Sequence, residues 1–368
     1  MLDGLAQDPD PYPTYAALRD RGVHVHDDGR WVVARARDVD VVLGSPGARV
    51  GYVAPAGDPG AAVQATMARF SDGADHDRRR ALATARLAGI APARLRSTAH
   101  AMAVALLATS DSDGDVTVEV MGLLARQLPI AALAVELGAD PELVVPVTRE
   151  LALALAPPIG TPRGDVAGLA GQLGRLVSGH RGDVVAAGAQ VGRLVDGPAA
   201  GIDDEATVNV VALLFQATDA TAGLIGNTVV AASGGRFAPA DSDALVGETN
   251  RFDPPVQLTT RVAAEPVEVG GTTIPADGRI VVLLAAAGRD PDLVDRPDRF
   301  DPGRRPAADG FGFGAGPRPC PGDTHALALA AGVVEALLER GATLAEPSIA
   351  YEPRANLRIP TRLTVRLT

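Results

Sequence analysis

The chain contains one cysteine, Cys320, within Phe313–Gly322, which reads FGAGPRPCPG. One cysteine can form neither an internal disulfide nor a four-cysteine metal site. If Cys320 does chemistry, it acts as a lone nucleophile or as a lone metal ligand. Gly314, Gly316 and Gly322 clear side chains from around the sulfur, so a flat, bulky group could lie against the loop. Pro319 and Pro321 stiffen the flanking positions and remove two backbone N–H groups. Asp323-Thr324-His325-Ala326-Leu327 then opens an alanine- and leucine-rich helix, whose N-terminal dipole favours a thiolate beside it. By itself the cysteine also reads as a small buried residue in a Gly/Pro-rich turn.

Three further groupings offer polar chemistry. His76 and Arg80 stand four apart and share one helix face, where two donors suit a carboxylate. Gln216-Ala217-Thr218-Asp219-Ala220-Thr221 places an acid between two alcohols within an apolar segment. Glu248 and Arg251 are spaced i,i+3; exposed, such a pair contributes only a few tenths of a kcal/mol.

Phe313, Gly316, Arg318, Cys320 and Gly322 match the haem-binding loop FGxGxRxCxG of the cytochrome P450 family at every defined position, and the sequence resembles that family over almost its whole length. The resemblance implies a mainly α fold with a small β region, as a single domain over residues 1–368, binding one b-type haem. It implies that Cys320 is the axial iron ligand, whose electron donation favours O–O cleavage. Phe313, Gly314, Arg318 and Gly322 would line the haem. His76 and Arg80 resemble the HxxxR pair that holds a propionate, and Arg261 matches a second propionate-binding arginine. Glu248 and Arg251 resemble the ExxR pair, which implies a buried network bracing the haem loop.

The segment around Asp219 departs from the family pattern AGx(D/E)TT, because Ala220 replaces the alcohol expected after the acid. That hydroxyl helps to hold the water that delivers protons during dioxygen activation, as general acid catalysis. The relay here would use Thr218, Thr221, a substrate hydroxyl or ordered water. A local helical bulge that carries Thr221 into place is the alternative. Phe215, Ala217, Val256, Gln257, Leu258, Thr259 and Asn356 are the expected substrate contacts, the strand residues facing it in alternation.

The elements that position these groups read as follows. Pro11–Arg19 is a helix carrying Tyr15 and Leu18 on one side, and Gly29–Ala34 a strand. Residues 47–73 read as a long loop over the distal pocket. Asp75 opens a helix with acids in its first turn. Leu95–Thr109, Val116–Leu137 and Pro141–Leu155 read as helices, followed by one from Val166 to Gly179; the hinge before the last would roof the substrate channel. Asp203-Asp204-Glu205 caps a long apolar helix to about Ser233. The stretch to Leu245 is short beside the family's usual additional helix. Pro254–Arg261 reads as extended chain, Gly270-Gly271 as a hairpin turn, Arg279–Leu284 as a strand, and Tyr351–Arg358 as a hairpin returning to the pocket. Gly288 stands where asparagine is common.

Hydrophobic residues make up 46% of the chain and aromatics 3%, so the core is built from Ala, Val and Leu. The net charge of −11 argues against general nucleic-acid binding. No basic n-region precedes an apolar stretch at the N-terminus, so no leader or membrane anchor is expected and a cytoplasmic location follows. No flavin or nucleotide motif is present, so electrons from NAD(P)H would arrive through a ferredoxin and its reductase. Arg78, Arg79, Arg304, Arg305 and Arg318 are a candidate docking patch for that partner. The expected protein is a monomer that uses O2 to oxidise a small or mid-sized natural-product intermediate, free or carrier-protein-bound. Hydroxylation or epoxidation is the simplest reaction. Ala220 brings in ring closure, phenol coupling or substrate-assisted oxidation, and a haem-binding sensor or scaffold is the reading from another class.

Overall fold

The computed structural model describes residues 2–109, 116–178, 205–233, 235–304 and 310–368. The fold is mainly helical with small sheets. Asp203, Asp204, Gly179 and Arg305 lie outside the described residues.

The long helix Glu205–Ala232 is the axis of the molecule, with Val211, Leu214, Ala222, Leu224 and Ile225 all buried. It packs against helices Gly73–Ala88, Leu128–Glu136, Pro141–Leu155, Val166–Ser178, Ser242–Phe252 and Asp323–Glu339. By length and composition it could cross a membrane, yet 67% of its most apolar window is buried inside the protein. An all-round apolar helix of this kind is a core helix. Its two glycines allow close approach: a Cβ at Gly223 would sit 2.7 Å from Pro255, and one at Gly226 would sit 2.7 Å from the Met121 sulfur.

The main sheet runs His24–Val25, Trp31–Val33, Arg279–Val282, Thr259–Ala263, Ala48–Arg49 in spatial order. The strand Trp31–Val33 lies parallel to Arg279–Val282, and the other pairs are antiparallel. Gly270 and Gly271, at φ 58° and 76°, form the two-residue hairpin turn between Val267–Val269 and Thr272–Ile274, where φ must be positive.

Three sequence expectations need correction. Residues 47–73 are not one loop: they hold the strand Ala48–Arg49, the helix Pro59–Ala65 and the turn Ala68–Phe70. Asp58 caps that helix by accepting from the Ala61 N–H at 3.0 Å, with proline next at the first helical position. The stretch Val116–Leu137 does not open as a helix. Its β-branched start, Val116–Glu119, pairs with the C-terminal strand Thr364–Leu367, and the helix begins only at Leu128, after a π turn over Met121–Ala125. The strand from Arg279 stops at Val282, and Leu284–Gly288 is a short helix.

Glu248 and Arg251 form a buried network. The two side chains make paired bonds of 2.6 and 2.9 Å, and Arg251 is only 1% exposed. Arg251 also donates to the carbonyls of Gly288 at 2.9 Å and Pro297 at 3.0 Å, while Glu248 accepts from the Asp301 N–H at 3.0 Å. The pair thus ties helix Ser242–Phe252 to the chain leading into the Cys320 loop. A Cβ at Gly288 would lie 2.5 Å from the Arg251 carbonyl, and one at Gly310 would lie 2.6 Å from the Arg251 Cα. The glycine at 288 is therefore a packing requirement. Removing one partner of such a pair strands the other charge. Arg251→Met is expected to lower unfolding free energy by about 3–5 kcal/mol, read by chemical denaturation. A loss below about 1 kcal/mol would mean that the pair is not a structural brace.

Candidate active site

A cavity of about 540 Å³ lies between the Cys320 loop and the central helix. One wall carries Phe313, Gly314, Cys320 and Gly322; the opposite wall carries Gln216, Ala217, Ala220 and Thr221. That volume falls within the roughly 300–1,000 Å³ of small-molecule and cofactor pockets.

The loop is shaped by its own backbone. The Cys320 N–H donates to the Phe313 carbonyl at 2.8 Å, and the Gly314 N–H to Phe311 at 2.8 Å. Gly314 and Gly316 hold φ of 73° and 68°, in the left-handed region. A Cβ on Gly316 would drive into the carbonyl of Leu43, whereas one on Gly314 would meet nothing nearer than 3.7 Å. Gly314 therefore leaves its face toward the cavity open.

Cys320 is half-buried, and burial pushes its thiol up. The Gly322 N–H, Arg80 and Arg69 pull the other way but do not win. The helix N-terminus alone therefore does not produce the free thiolate expected of a lone nucleophile. A bound metal cation would deprotonate the thiol outright. Of the two chemical readings of this cysteine, the ligand is the one the environment supports.

Arginines and a histidine ring the cavity. His76, Arg80, Arg261 and Arg318 all line it. Arg80 donates to the Pro319 carbonyl at 2.6 Å, so it is fixed beside the sulfur. Arg318 donates to the Ser71 carbonyl at 2.8 Å and faces Asp72 at 3.2 Å. Among the described residues, Thr259 Oγ1 and the Thr260 carbonyl are the hydrogen-bond acceptors of Arg261; burial, then the neighbouring Arg318, pushes it down to about 10. His76 is buried, and burial together with Arg318 pushes it below its ordinary value. Incompletely paired cations around an apolar pocket suit a flat ligand that carries two carboxylates on its edge. With the sulfur at one wall and the glycine-cleared loop beside it, the residues present fit a haem.

Other expected site residues fall elsewhere. Thr218 is buried and donates back to the Leu214 carbonyl at 3.2 Å, Phe215 packs into the helical core, and neither lines the cavity. Gln257 is fully buried, its amide donating to the Pro254 carbonyl at 2.6 Å, while Val256, Leu258 and Thr259 reach the cavity together with Pro255, Thr260 and Arg261, so the alternation does not hold. Ala217 and Asn356 do line it. Asp219 also stays off the wall: its carboxylate lies 3.3 Å from Arg354, which in turn pairs with Glu352 at 3.0 Å. Burial raises the Asp219 carboxyl, and Arg354 opposes that shift. The helix is unbroken across Gln216–Thr221, so no bulge moves Thr221.

Of the expected docking patch, Arg78 stays exposed and Arg305 lies outside the described residues. Arg78 and Arg79 both bind Glu205, at 2.9 and 2.5 Å, Arg304 bonds to backbone carbonyls, and Arg318 faces the cavity. Arg354 and Arg69 carry no motif in the sequence. A lone arginine in an irregular stretch gives no spacing signal.

Gly316→Ala is expected to cost about 1–3 kcal/mol in strain and to reduce the haem-to-protein ratio of the purified protein. Gly314→Ala, free of any backbone clash, should lose less. Equal haem content in Gly316→Ala and the parent would contradict the assigned loop geometry.

A family model described as Cytochrome P450 matches residues 242–340, which span the Glu248–Arg251 pair and the Cys320 loop. The cytochrome P450 monooxygenase PikC of Streptomyces venezuelae is 30% identical over 94% of this chain and 87% of its own length. Protein DesVIII of the same organism is 49% identical over a 70-residue stretch, 19% of this chain and 17% of that one. Among solved structures, P450BioI in complex with a fatty-acyl-ligated acyl carrier protein superposes with a TM-score of 0.84 at 22% identity, covering 98% of this chain and 99% of that one. With the fold, the buried Glu248–Arg251 brace and the Cys320 cavity in agreement with these matches, the chain belongs to the cytochrome P450 family of monooxygenases.

Proposed function

We propose that this protein oxidises a small or mid-sized natural-product intermediate with O2, drawing electrons from NAD(P)H through a ferredoxin and its reductase in the cytoplasm. The observation that carries the reading is one cavity lined both by Cys320 and by the small side chains Ala217 and Ala220 of the central helix. Haem b, when bound, would supply dioxygen activation at an iron held by Cys320.

The protein's own groups do the rest. Arg80, Arg261, Arg318 and His76 would hold the two propionates and set the plane of the group. Val256, Leu258 and Leu224 present apolar surface that orients substrate and excludes water. Asn356 and Gln216 offer amide groups for a polar substituent. The oxidation class turns on proton supply. The Thr218 hydroxyl is committed to the Leu214 carbonyl, Ala220 offers none, and the Asp219 carboxylate is turned to Arg354. Thr221 contributes the cavity-lining hydroxyl of this segment, so a proton reaches the pocket through Thr221 or through a hydroxyl of the substrate itself. Hydroxylation or epoxidation assisted by the substrate follows as the leading reaction, with ring closure or coupling as its variant.

A panel of free compounds and their carrier-protein-linked forms, incubated with the haem-loaded enzyme, its electron partners and labelled O2, tests this. Label is expected in an oxidised product of a free compound. Product only from the carrier-linked forms would move the substrate assignment to a carrier, and consumption of NAD(P)H with no product from any of them would overturn the reading. Ala220→Thr restores a hydroxyl on the cavity wall. It should raise product formed per electron pair by a few-fold on substrates without a nearby hydroxyl; unchanged coupling on those substrates would show that proton supply does not pass this position.

A further inference from the structure

Arg69 lies on the turn Ala68–Phe70 and lines the same cavity. The turn is tied to the central helix, since the Ala68 N–H donates to Asn209 Oδ1 at 3.0 Å, and Asn209 lines the cavity as well. The Arg69 side chain is exposed by surface area, yet burial of its surroundings pushes the guanidinium below its ordinary value. The two facts agree for a side chain standing in an internal, water-accessible cavity. No carboxylate pairs with it among the described residues; the ring of Phe70 lies 5.6 Å away, and the Cys320 sulfur is the acidic group that acts on it.

The charges around it are uneven. The one acid on the cavity wall, Asp3, is already bound to Arg30 at 2.8 Å. Arg318 faces Asp72. Among the described residues Arg80 and Arg261 have no paired carboxylate, which leaves them for the two propionates, with His76 and Arg318 as further donors. Arg69 is then a cation in excess of what the cofactor needs. An unpaired guanidinium in a mostly apolar cavity is costly, and an anion that enters with the ligand removes the cost.

We propose that Arg69 is a specificity residue and that the substrate carries a carboxylate. The inference rests on the cavity being the oxidation site, and it names the substrate class of that site: an organic acid presented free, since a thioester to a carrier has no carboxylate at that end. The bidentate fork of Arg69 would anchor the acid at the Ala68–Phe70 turn while the apolar remainder lies along Ala217, Val256 and Leu258.

The test is calorimetric binding to the haem-loaded protein, which needs no turnover. The matched probes are dodecanoate with dodecanamide and 4-phenylbutyrate with 4-phenylbutyramide. In the parent protein each acid should bind on the order of 10-fold tighter than its amide, the scale of one charge-assisted contact. In Arg69→Gln that preference should vanish while amide affinity and haem content stay the same. Acids that bind no tighter than amides in the parent, or a preference that survives in Arg69→Gln, would overturn the assignment. So would a fall in haem content with equal weakening of acid and amide, because Arg69 would then serve the propionates. Failure of the oxidation reading would show instead as acid-selective binding without any oxidised product.

Discussion

The structure depends on a buried charge that cannot be left alone. Arg251 is almost wholly out of solvent, and its guanidinium is satisfied by Glu248 and by carbonyls of the segment that leads into the Cys320 loop. A cation at that depth is tolerated only while each of those partners stays in place, so the pair fixes the approach of the loop. Gly288 and Gly310 pack against the Arg251 backbone with no room for a side chain. From this brace the chain reaches the glycines whose positive φ curls Gly314–Gly316 around the cavity and sets Cys320 on its wall.

Across the cavity the central helix supplies small residues rather than polar ones. The acid of the segment is retained at Asp219, but it sits within an ion-pair network with Arg354, Glu352 and Arg126 on the side away from the pocket. Apolar walls, a rim of cations and few hydroxyls describe a site strong in binding and sparing in proton donors. Such a site favours substrates that bring polar groups of their own, which is the common thread between Thr221, the one cavity-lining hydroxyl of the Gln216–Thr221 segment, and Arg69, which no carboxylate pairs among the described residues.

Much of this was legible because the decisive signals are local. The Phe313–Gly322 motif, the His76/Arg80 spacing and the Glu248/Arg251 spacing each lie within ten residues, and local spacing survives folding. What was missed depends on long-range pairing or on side-chain direction. Val116–Glu119 has an apolar pattern open to either helix or strand until Thr364–Leu367 arrives to pair with it. Gln257 and Phe215 lie in the right segments but point into the core, which neighbour packing decides and chain order does not. Arg69 and Arg354 occupy irregular stretches where periodicity carries no information, so their roles emerge only from what surrounds them in space.

The central claim is that Cys320 offers its sulfur to iron across a loop fixed by the Arg251 brace. The most direct measurement is the absorption spectrum of the reduced, carbon monoxide-treated, haem-loaded protein, taken alongside Cys320→Ser. The parent should give the red-shifted Soret band of a thiolate-ligated haem, and Cys320→Ser should lose that band while still binding some haem. A thiolate-type band that persists in Cys320→Ser, or its absence from the folded, haem-loaded parent, would contradict the account.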